Sequence, residues 1–391
     1  MDFSFTSEQT QIADATRRML DNDYGFEKRK ALLASGGSLW DSLVELGLTA
    51  LPIPEEQGGF AGTAVDLLLV MQELGRALVA EPYFATVFAA EFLKRSGEQL
   101  ALLEEVAAGS LKMSAALGEK RSRHDLFDVV SRAEASGTSF VLTGTKTVVP
   151  FGAQVDRLIV SARVADGDDG LALFVVDANA ESVVRHDLRT LDGQRVAEIV
   201  FDRVALAPDA LIARGGAARQ LIDAVVDYGS ALLCAEAVGA MEALNAATLD
   251  YAKTRKQFGQ PIARFQVLQH RMVDMFIHLE QARSMTYLAA ARASSSDAIE
   301  RKRTASAAKV RIGQAARFIG QQAVQIHGGM GVTNELPAAH LFKRLTMIEM
   351  TLGDSDHHLQ RFIAAGEDAV ASASATASSR QPVERPLARA A

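Results

Sequence analysis

Two short stretches carry side chains suited to gripping a nucleotide. The first is Tyr251-Ala252-Lys253-Thr254-Arg255-Lys256-Gln257-Phe258-Gly259-Gln260-Pro261. It reads as the end of a helix, because Gly259 is free to take a positive φ and Pro261 cannot continue the hydrogen-bond ladder. An arginine placed there, Arg255, can hold a pyrophosphate through paired N–H···O bonds, and a ring such as Phe258 can cover the flat face of a nucleotide or flavin. The same residues have a plainer explanation, since basic side chains favour a helix C-terminus and phenylalanine is commonly core. The second stretch is Gln325-Ile326-His327-Gly328-Gly329-Met330-Gly331. Three glycines in four positions let backbone pass close to a bulky ligand, and successive exposed amides can cradle an anion. A glycine-rich helix stop with a capping or core histidine explains it equally. A third group, Lys120, Arg121, Arg123 and His124, could meet a phosphate or form a solvated loop face. No metal site is expected.

The elements that must position these stretches fall into three blocks. In the first hundred residues, Thr63 and Asp66 form a capping-box variant ahead of Leu67, Val70, Met71, Leu74, Ala77 and Leu78, which recur at helical spacing until Glu81-Pro82. The preceding loop from Leu51 to Gly59 is rich in breakers. From about Ser114 to Ala213 short β-branched and aromatic runs alternate with turn residues; Ser139 to Thr143, Leu158 to Val164, Leu171 to Asp177 and Val196 to Phe201 read as strands. Residues Ala165 to Gly170 read as a hairpin loop. After about Gln220 the pattern is helical over Leu221 to Arg255, Phe265 to Ser294 and Arg301 to Ile326. In the last of these Ile312, Ala316, Ile319, Ala323 and Ile326 make one apolar face, as in a bundle.

The predicted order is therefore an α+β chain: an all-helical domain over 1–113, a β domain over 114–215, a helical bundle over 216–367, and an Ala/Ser-rich disordered tail over 368–391. A formal charge of -7 argues against nucleic-acid binding. No run approaches the ~18 uncharged apolar residues of a membrane helix, and the start Met1-Asp2-Phe3-Ser4 has no signal-like character. The one cysteine, Cys234, lies in an apolar run and is expected to be a buried, inert thiol. A cytoplasmic protein is the expectation.

In this order, the R-x-x-F-G and Q-x-x-G-G-x-G elements resemble those of the acyl-CoA dehydrogenase family. Leu46-Gly47-Leu48 leading to Pro54-Glu55-Glu56-Gln57-Gly58-Gly59 is similar to a loop of its helical domain, and the resemblance runs from Asp2 to Ala365. Met1-Asp2-Phe3, Phe26-Glu27-Lys28-Arg29-Lys30 and Leu352-Gly353-Asp354-Ser355-Asp356-His357-His358-Leu359 look most like pimeloyl-CoA dehydrogenase small subunits. The resemblance implies an amino-terminal helical domain, a middle β-barrel or sandwich domain and a four-helix bundle. It implies FAD as cofactor, an acyl-CoA thioester as substrate and electron-transfer flavoprotein as acceptor. Family members usually form dimers of dimers in which these two elements reach the neighbouring subunit's FAD. Carried over, Arg255, Gln257 and Phe258 would meet the pyrophosphate and flavin nucleotide, and Gln325, Gly328, Gly329 and Gly331 the adenosine half.

The same resemblance exposes departures. Where the family places a glutamate before the glycine of an E-G-T-type turn, this chain has Leu352, and the alternative location falls at Gly229. Neither can remove the α-proton of a thioester. The T-E-P-x-x-G-S-D element becomes Leu117 to Asp125, the W-I-T element becomes Val148-Val149-Pro150, and Asp354 and Asp356 replace threonine and glutamine. Every degraded element belongs to the site a subunit builds for itself, whereas both elements donated to a neighbour survive. The expectation is a subunit that completes the FAD site of a large catalytic partner, α2β2, in α,β-desaturation of an acyl group that is dicarboxylic or otherwise unusual. The alternatives are a homo-oligomeric dehydrogenase with Asp354, Glu349 or Asp227 as relocated base, a non-catalytic scaffold, and an oxidase or monooxygenase of the same fold.

Overall fold

A computed structural model describes residues 5–166 and 170–379, the last ten of these by backbone alone. The amino-terminal block is helical: α1 (Ser7–Asp23), α2 (Phe26–Ser35), α3 (Trp40–Glu45), α4 (Ala64–Arg76), α5 (Tyr83–Ser96) and α6 (Ala101–Ala107). Helix α4 starts at the expected capping box, in which the Thr63 backbone N–H donates to the Asp66 carboxylate at 2.7 Å. Its periodic apolar side chains Leu67, Val70, Met71 and Leu74 are all buried, so the spacing in the sequence does mark the inward face.

Among the described residues eight strands make one sheet: β1 (Met113–Ala116), β2 (Arg132–Ser136), β3 (Ser139–Pro150), β4 (Arg157–Arg163), β5 (Leu171–Asp177), β6 (Val183–Arg189), β7 (Arg195–Leu206) and β8 (Leu211–Arg214). The strand order is β6-β7-β3-β2-β4-β5-β8, with β1 alongside β4 in parallel. Strands β4 and β5 pair antiparallel from Arg163 opposite Leu171 to Arg157 opposite Asp177; residues 167–169 of the expected hairpin loop lie outside the described residues. Strand β3 runs on to Pro150, beyond the strand read from Ser139 to Thr143, because β7 pairs with it along its whole length through two register shifts.

The remainder is helical: α7 (Gly216–Thr254), α8 (Gln266–Arg292), α9 (Ala298–His327), α10 (Pro337–Met350) and α11 (Ser355–Ser379). The isoleucines read as the inner face of α9, Ile312, Ile319 and Ile326, are buried, each contributing about 1.5–3 kcal/mol relative to exposure. Helix α4 lies almost in backbone contact with α7, since a Cβ at Gly75 would stand 2.0 Å from the Glu236 carbonyl oxygen and one at Gly239 would stand 1.8 Å from that of Gln72. Any larger residue at either position would push the two helices apart. Helix α11 extends through Ser379, which corrects the expectation of a disordered tail from 368. Alanine has the highest helix propensity, so the Ala/Ser composition is compatible with continued helix; residues 380–391 lie outside the described residues. No helix among the described residues is long and apolar enough to cross a membrane.

Arg344 of α10 ties the bundle to the sheet. Its Nε and Nη2 donate to the two Glu236 carboxylate oxygens of α7 at 2.6 and 2.9 Å, while Nη1 donates to Asp192 in the β6–β7 turn at 2.9 Å. Burial alone would lower the Arg344 pKa; the two carboxylates outweigh it and hold the charge more firmly than usual.

Candidate functional site

A cleft of about 500 Å³ opens beside Arg344, lined by residues of all three blocks. Helices α4 and α5 supply Met71, Leu74, Phe84 and Phe88, β3 supplies Thr147 and Val148, and α10 with its following turn supplies Met347 and Leu352. The wall is mostly apolar and the size is typical of a small-molecule site.

Leu352 sits just past the end of α10 with φ +57, a left-handed conformation that costs a branched residue roughly 1–2 kcal/mol. Buried hydrogen bonds impose it. Lys309 Nζ donates to the carbonyls of Ile348, Glu349 and Thr351 at 2.8, 3.2 and 2.8 Å. His358 Nε2 donates to the Leu352 carbonyl at 3.0 Å, which leaves Nδ1 to accept from Ser306 Oγ at 3.3 Å. Burial pushes the Lys309 pKa down to about 8 and that of His358 down to about 2, so this imidazole is neutral in the folded chain. The side chain of Leu352 points at Gly229 of α7: a Cβ on Gly229 would lie 3.0 Å from Leu352 Cδ1 and 2.5 Å from Phe88 Cδ2. The two positions at which a base was sought are thus one place in space, and hydrocarbon fills it.

Three carboxylates that the sequence reading did not single out line the cleft: Glu81, Glu119 and Glu236. Each is already engaged. Glu119 accepts from Lys146 Nζ at 2.7 Å and from Ser131 Oγ at 2.8 Å; burial works to raise its pKa, but Lys146 and these hydrogen bonds hold it below the ordinary value. Glu236 is chelated by Arg344. Glu81 accepts from the Leu39 N–H at 2.6 Å and Ser38 Oγ at 2.8 Å, and burial raises its pKa.

The residues proposed as relocated bases are placed elsewhere. Asp227 is fully buried between Arg301 and Arg361, Glu349 accepts from the Ser355 N–H and Oγ at 3.1 and 2.9 Å, and neither lines the cleft. Asp354 is also absent from the lining. It accepts from the His357 N–H at 2.8 Å, a bond that lowers its pKa, and pairs with His124 Nε2 at 3.2 Å. That pair ties the loop after β1 to the turn before α11. Of the basic loop, Arg123 and His124 reach the cleft wall.

The two outward stretches come together at one end of the bundle. Helix α7 ends at Thr254, and a hairpin follows in which β9 (Lys256–Gln257) pairs with β10 (Gln260–Pro261). Its two-residue turn is Phe258-Gly259, both with positive φ (52 and 79), the geometry of a type I′ hairpin turn. This turn holds Phe258 91% exposed, with its edge toward Phe265. Arg255 and Gln257 are exposed as well. The Tyr251 ring stacks on His327 with centroids 4.5 Å apart, and Tyr251 Oη donates to the His327 carbonyl at 3.3 Å, so the end of α7 that leads into the hairpin is docked against the start of the glycine-rich stretch. Gln325, Gly328 and Gly329 are exposed there, whereas Gly331 is buried. His327 itself is buried and donates Nδ1–H to the Ala323 carbonyl at 2.8 Å, which is the capping role. Cys234 is buried, and burial pushes its thiol up to about 12, as expected of an inert cysteine.

These surfaces fit FAD unequally. The outward end presents a guanidinium and a ring, both exposed among the described residues. Along the cleft the positions that the family resemblance assigns to a flavin carry Val148 and Pro150, neither with a side-chain donor, and the His124–Asp354 pair ties the loop after β1 to the turn before α11 beside them.

Comparison with known proteins agrees with this anatomy. The models for the acyl-CoA dehydrogenase N-terminal, middle and C-terminal domains match residues 6–110, 114–204 and 218–366. Human mitochondrial short-chain specific acyl-CoA dehydrogenase is 26% identical over 332 residues, covering 82% of this chain and 80% of that protein. Among solved structures, a variant of the Tcur3481-Tcur3483 steroid ACAD is 27% identical, with a TM-score of 0.83, over 93% of this chain and 99% of that one. The ChsE4-ChsE5 complex from Mycobacterium tuberculosis shares the fold at 24% identity and a TM-score of 0.83, over 95% and 99%. The FAD complex of PigA shares it at 23% and 0.84, over 93% and 98%.

Proposed function

Because the chain belongs to the acyl-CoA dehydrogenase family, we propose that it is an FAD-dependent oxidoreductase subunit that lends nucleotide contacts to a catalytic partner rather than performing the chemistry in its own cleft. One observation carries this reading: Leu352, Gly229 and Phe88 fill the point where a proton acceptor must stand, while Arg255 and Phe258 are exposed, Arg255 with no ion pair among the described residues and Phe258 with only an edge contact to Phe265. A thioester α-proton is weakly acidic, and without a poised carboxylate no carbanion character can develop for the flavin to draw on. When bound, FAD accepts the hydride from the β-carbon. This chain's part is electrostatic and steric: Arg255 neutralises pyrophosphate charge, Gln257 and Gln325 offer neutral hydrogen bonds, Phe258 covers an apolar face, and the exposed Gly328 and Gly329 allow close backbone approach.

The partner proposed is a large acyl-CoA dehydrogenase subunit in an α2β2 assembly, with electron-transfer flavoprotein as acceptor. Complexes named for two components, ChsE4-ChsE5 and Tcur3481-Tcur3483, support it. A dicarboxylic acyl group gains no support within this chain's cleft, whose most deeply held cation, Arg344, is already bound to Glu236 and Asp192; an apolar acyl group suits the lining better. The chain is to be purified alone and with its associated subunit, and FAD counted from its absorbance. One FAD per pair of unlike chains, with little in the lone chain, is expected; one FAD per lone chain with turnover overturns the proposal.

A further inference from the structure

Two elements far apart in the chain must meet one nucleotide if this subunit lends contacts to a partner: the hairpin after α7, with Arg255 and Phe258, and the glycine-rich stretch that closes α9, with Gln325, Gly328 and Gly329. Each is held together internally. The Arg255 N–H closes the last turn of α7 on the Tyr251 carbonyl at 2.8 Å, and the Arg255 carbonyl accepts from the Ile262 N–H at 2.8 Å, so the hairpin returns to the residue from which it left. Tyr251, about one turn before Arg255, belongs to the same piece. On the other side Gly331 packs back on the end of α9, where a Cβ would stand 2.8 Å from the Val324 carbonyl oxygen and 2.9 Å from His327 Cβ. The His327 ring is oriented by its bond from Nδ1 to the Ala323 carbonyl. Neither piece by itself sets its distance from the other. The pair Tyr251 and His327 does: the rings stack with an interplanar angle of 27°, and Tyr251 Oη reaches the His327 carbonyl. Tyr251 is half-buried and His327 buried, beneath the exposed Arg255, Phe258 and Gln325.

We propose that Tyr251 and His327 are positioning residues: they hold the hairpin and the glycine-rich stretch in register, so that both grip the partner's FAD as one site. This rests on the reading that the chain lends nucleotide contacts. A guanidinium holds a pyrophosphate only with its N–H groups about 2.7–2.9 Å from the oxygens, so a shift of one element by an ångström forfeits that bond. The stacked rings set the separation, because two flat faces approach to van der Waals contact and no closer. The hydrogen bond, long at 3.3 Å, adds less than the stack. Tyr251→Phe therefore keeps the spacing, whereas Tyr251→Leu keeps apolar volume and loses the flat face.

The test is a double-mutant cycle on the complex of this chain with its associated subunit, with FAD release followed by fluorescence on dilution at low and high salt. Arg255→Gln should speed release about tenfold at low salt and flatten its salt dependence, because a charge-assisted bond is lost. Tyr251→Leu, verified as folded by circular dichroism, should do the same although Arg255 is still present. In that background Arg255→Gln should then cost less than about twofold, since the guanidinium is already displaced. Tyr251→Phe should stay within about threefold of the native complex. His327→Leu removes the same stack from the other side and repeats the cycle if Tyr251→Leu does not fold. A tyrosine serving only the fold would leave the salt dependence intact and add its effect to that of Arg255. A tenfold cost of Arg255→Gln in both backgrounds, or native retention in Tyr251→Leu, therefore overturns the positioning role and leaves the lent contacts standing. Native retention in Arg255→Gln alone overturns the lent contacts, and the positioning role with them.

Discussion

Phe258→Asn should move two quantities in different ways, and the structure sets both magnitudes. In the lone chain the ring is 91% exposed, so removing it forfeits almost no buried area. The backbone at φ +52 is one that asparagine adopts far more readily than phenylalanine, which returns roughly 1 kcal/mol of strain. Against this stands one edge contact with Phe265, centroids 6.0 Å apart, worth at most about 1 kcal/mol. The thermal midpoint of the lone chain should therefore change by no more than about 2 °C in either direction. In the assembly the ring is proposed to cover the flavin nucleotide, and burying a phenylalanine contributes about 1.5–3 kcal/mol. Losing it should weaken FAD retention about 10- to 150-fold, measured as the fluorescence of free FAD released on dilution of the purified complex. The reasoning fails if the complex holds FAD equally well, or if the lone chain is destabilised by several degrees, because the ring would then be serving the fold.

Arg344→Ala should destabilise the chain by about 3–5 kcal/mol in chemical denaturation, since Glu236 and Asp192 would be left buried without their cation; Arg344→Lys should recover only part, a single ammonium being unable to replace the two-sided chelation. His358 supplies a pH dependence: its folded pKa, about 2, lies below the ordinary 6.5, so between those values the unfolded chain binds the extra proton and stability falls as pH falls. The slope should reach about 1.4 kcal/mol per pH unit below pH 6.5, and His358→Asn should flatten it; an unchanged slope between pH 6 and 4 would assign the loss to other groups.

Some of this was legible along the chain and some was not, for reasons that particular residues illustrate. The spacing of Ile312, Ile319 and Ile326 announced an inward helix face because a 3.6-residue period is a local property. The capping box at Thr63 and Asp66 was legible because its partners are three residues apart. The helix end at Thr254 was visible, but the type I′ turn at Phe258 was not, since phenylalanine is a poor occupant of left-handed backbone and only the closed hairpin imposes it. The tail from 368 was misread because a low apolar content was taken to exclude helix, where alanine propensity permits it.

What the sequence alone determined was the order of helical, sheet and bundle segments, and the fact that Leu352 has no proton to exchange. Only the folded chain decided that Leu352 and Gly229, more than a hundred positions apart, occupy one point, and that Glu119 and Glu236 stand in the cleft with their charges already answered by Lys146 and Arg344. The physical reason is that a side chain's type is local, whereas its charge balance depends on which distant residue the packing brings within about 3 Å.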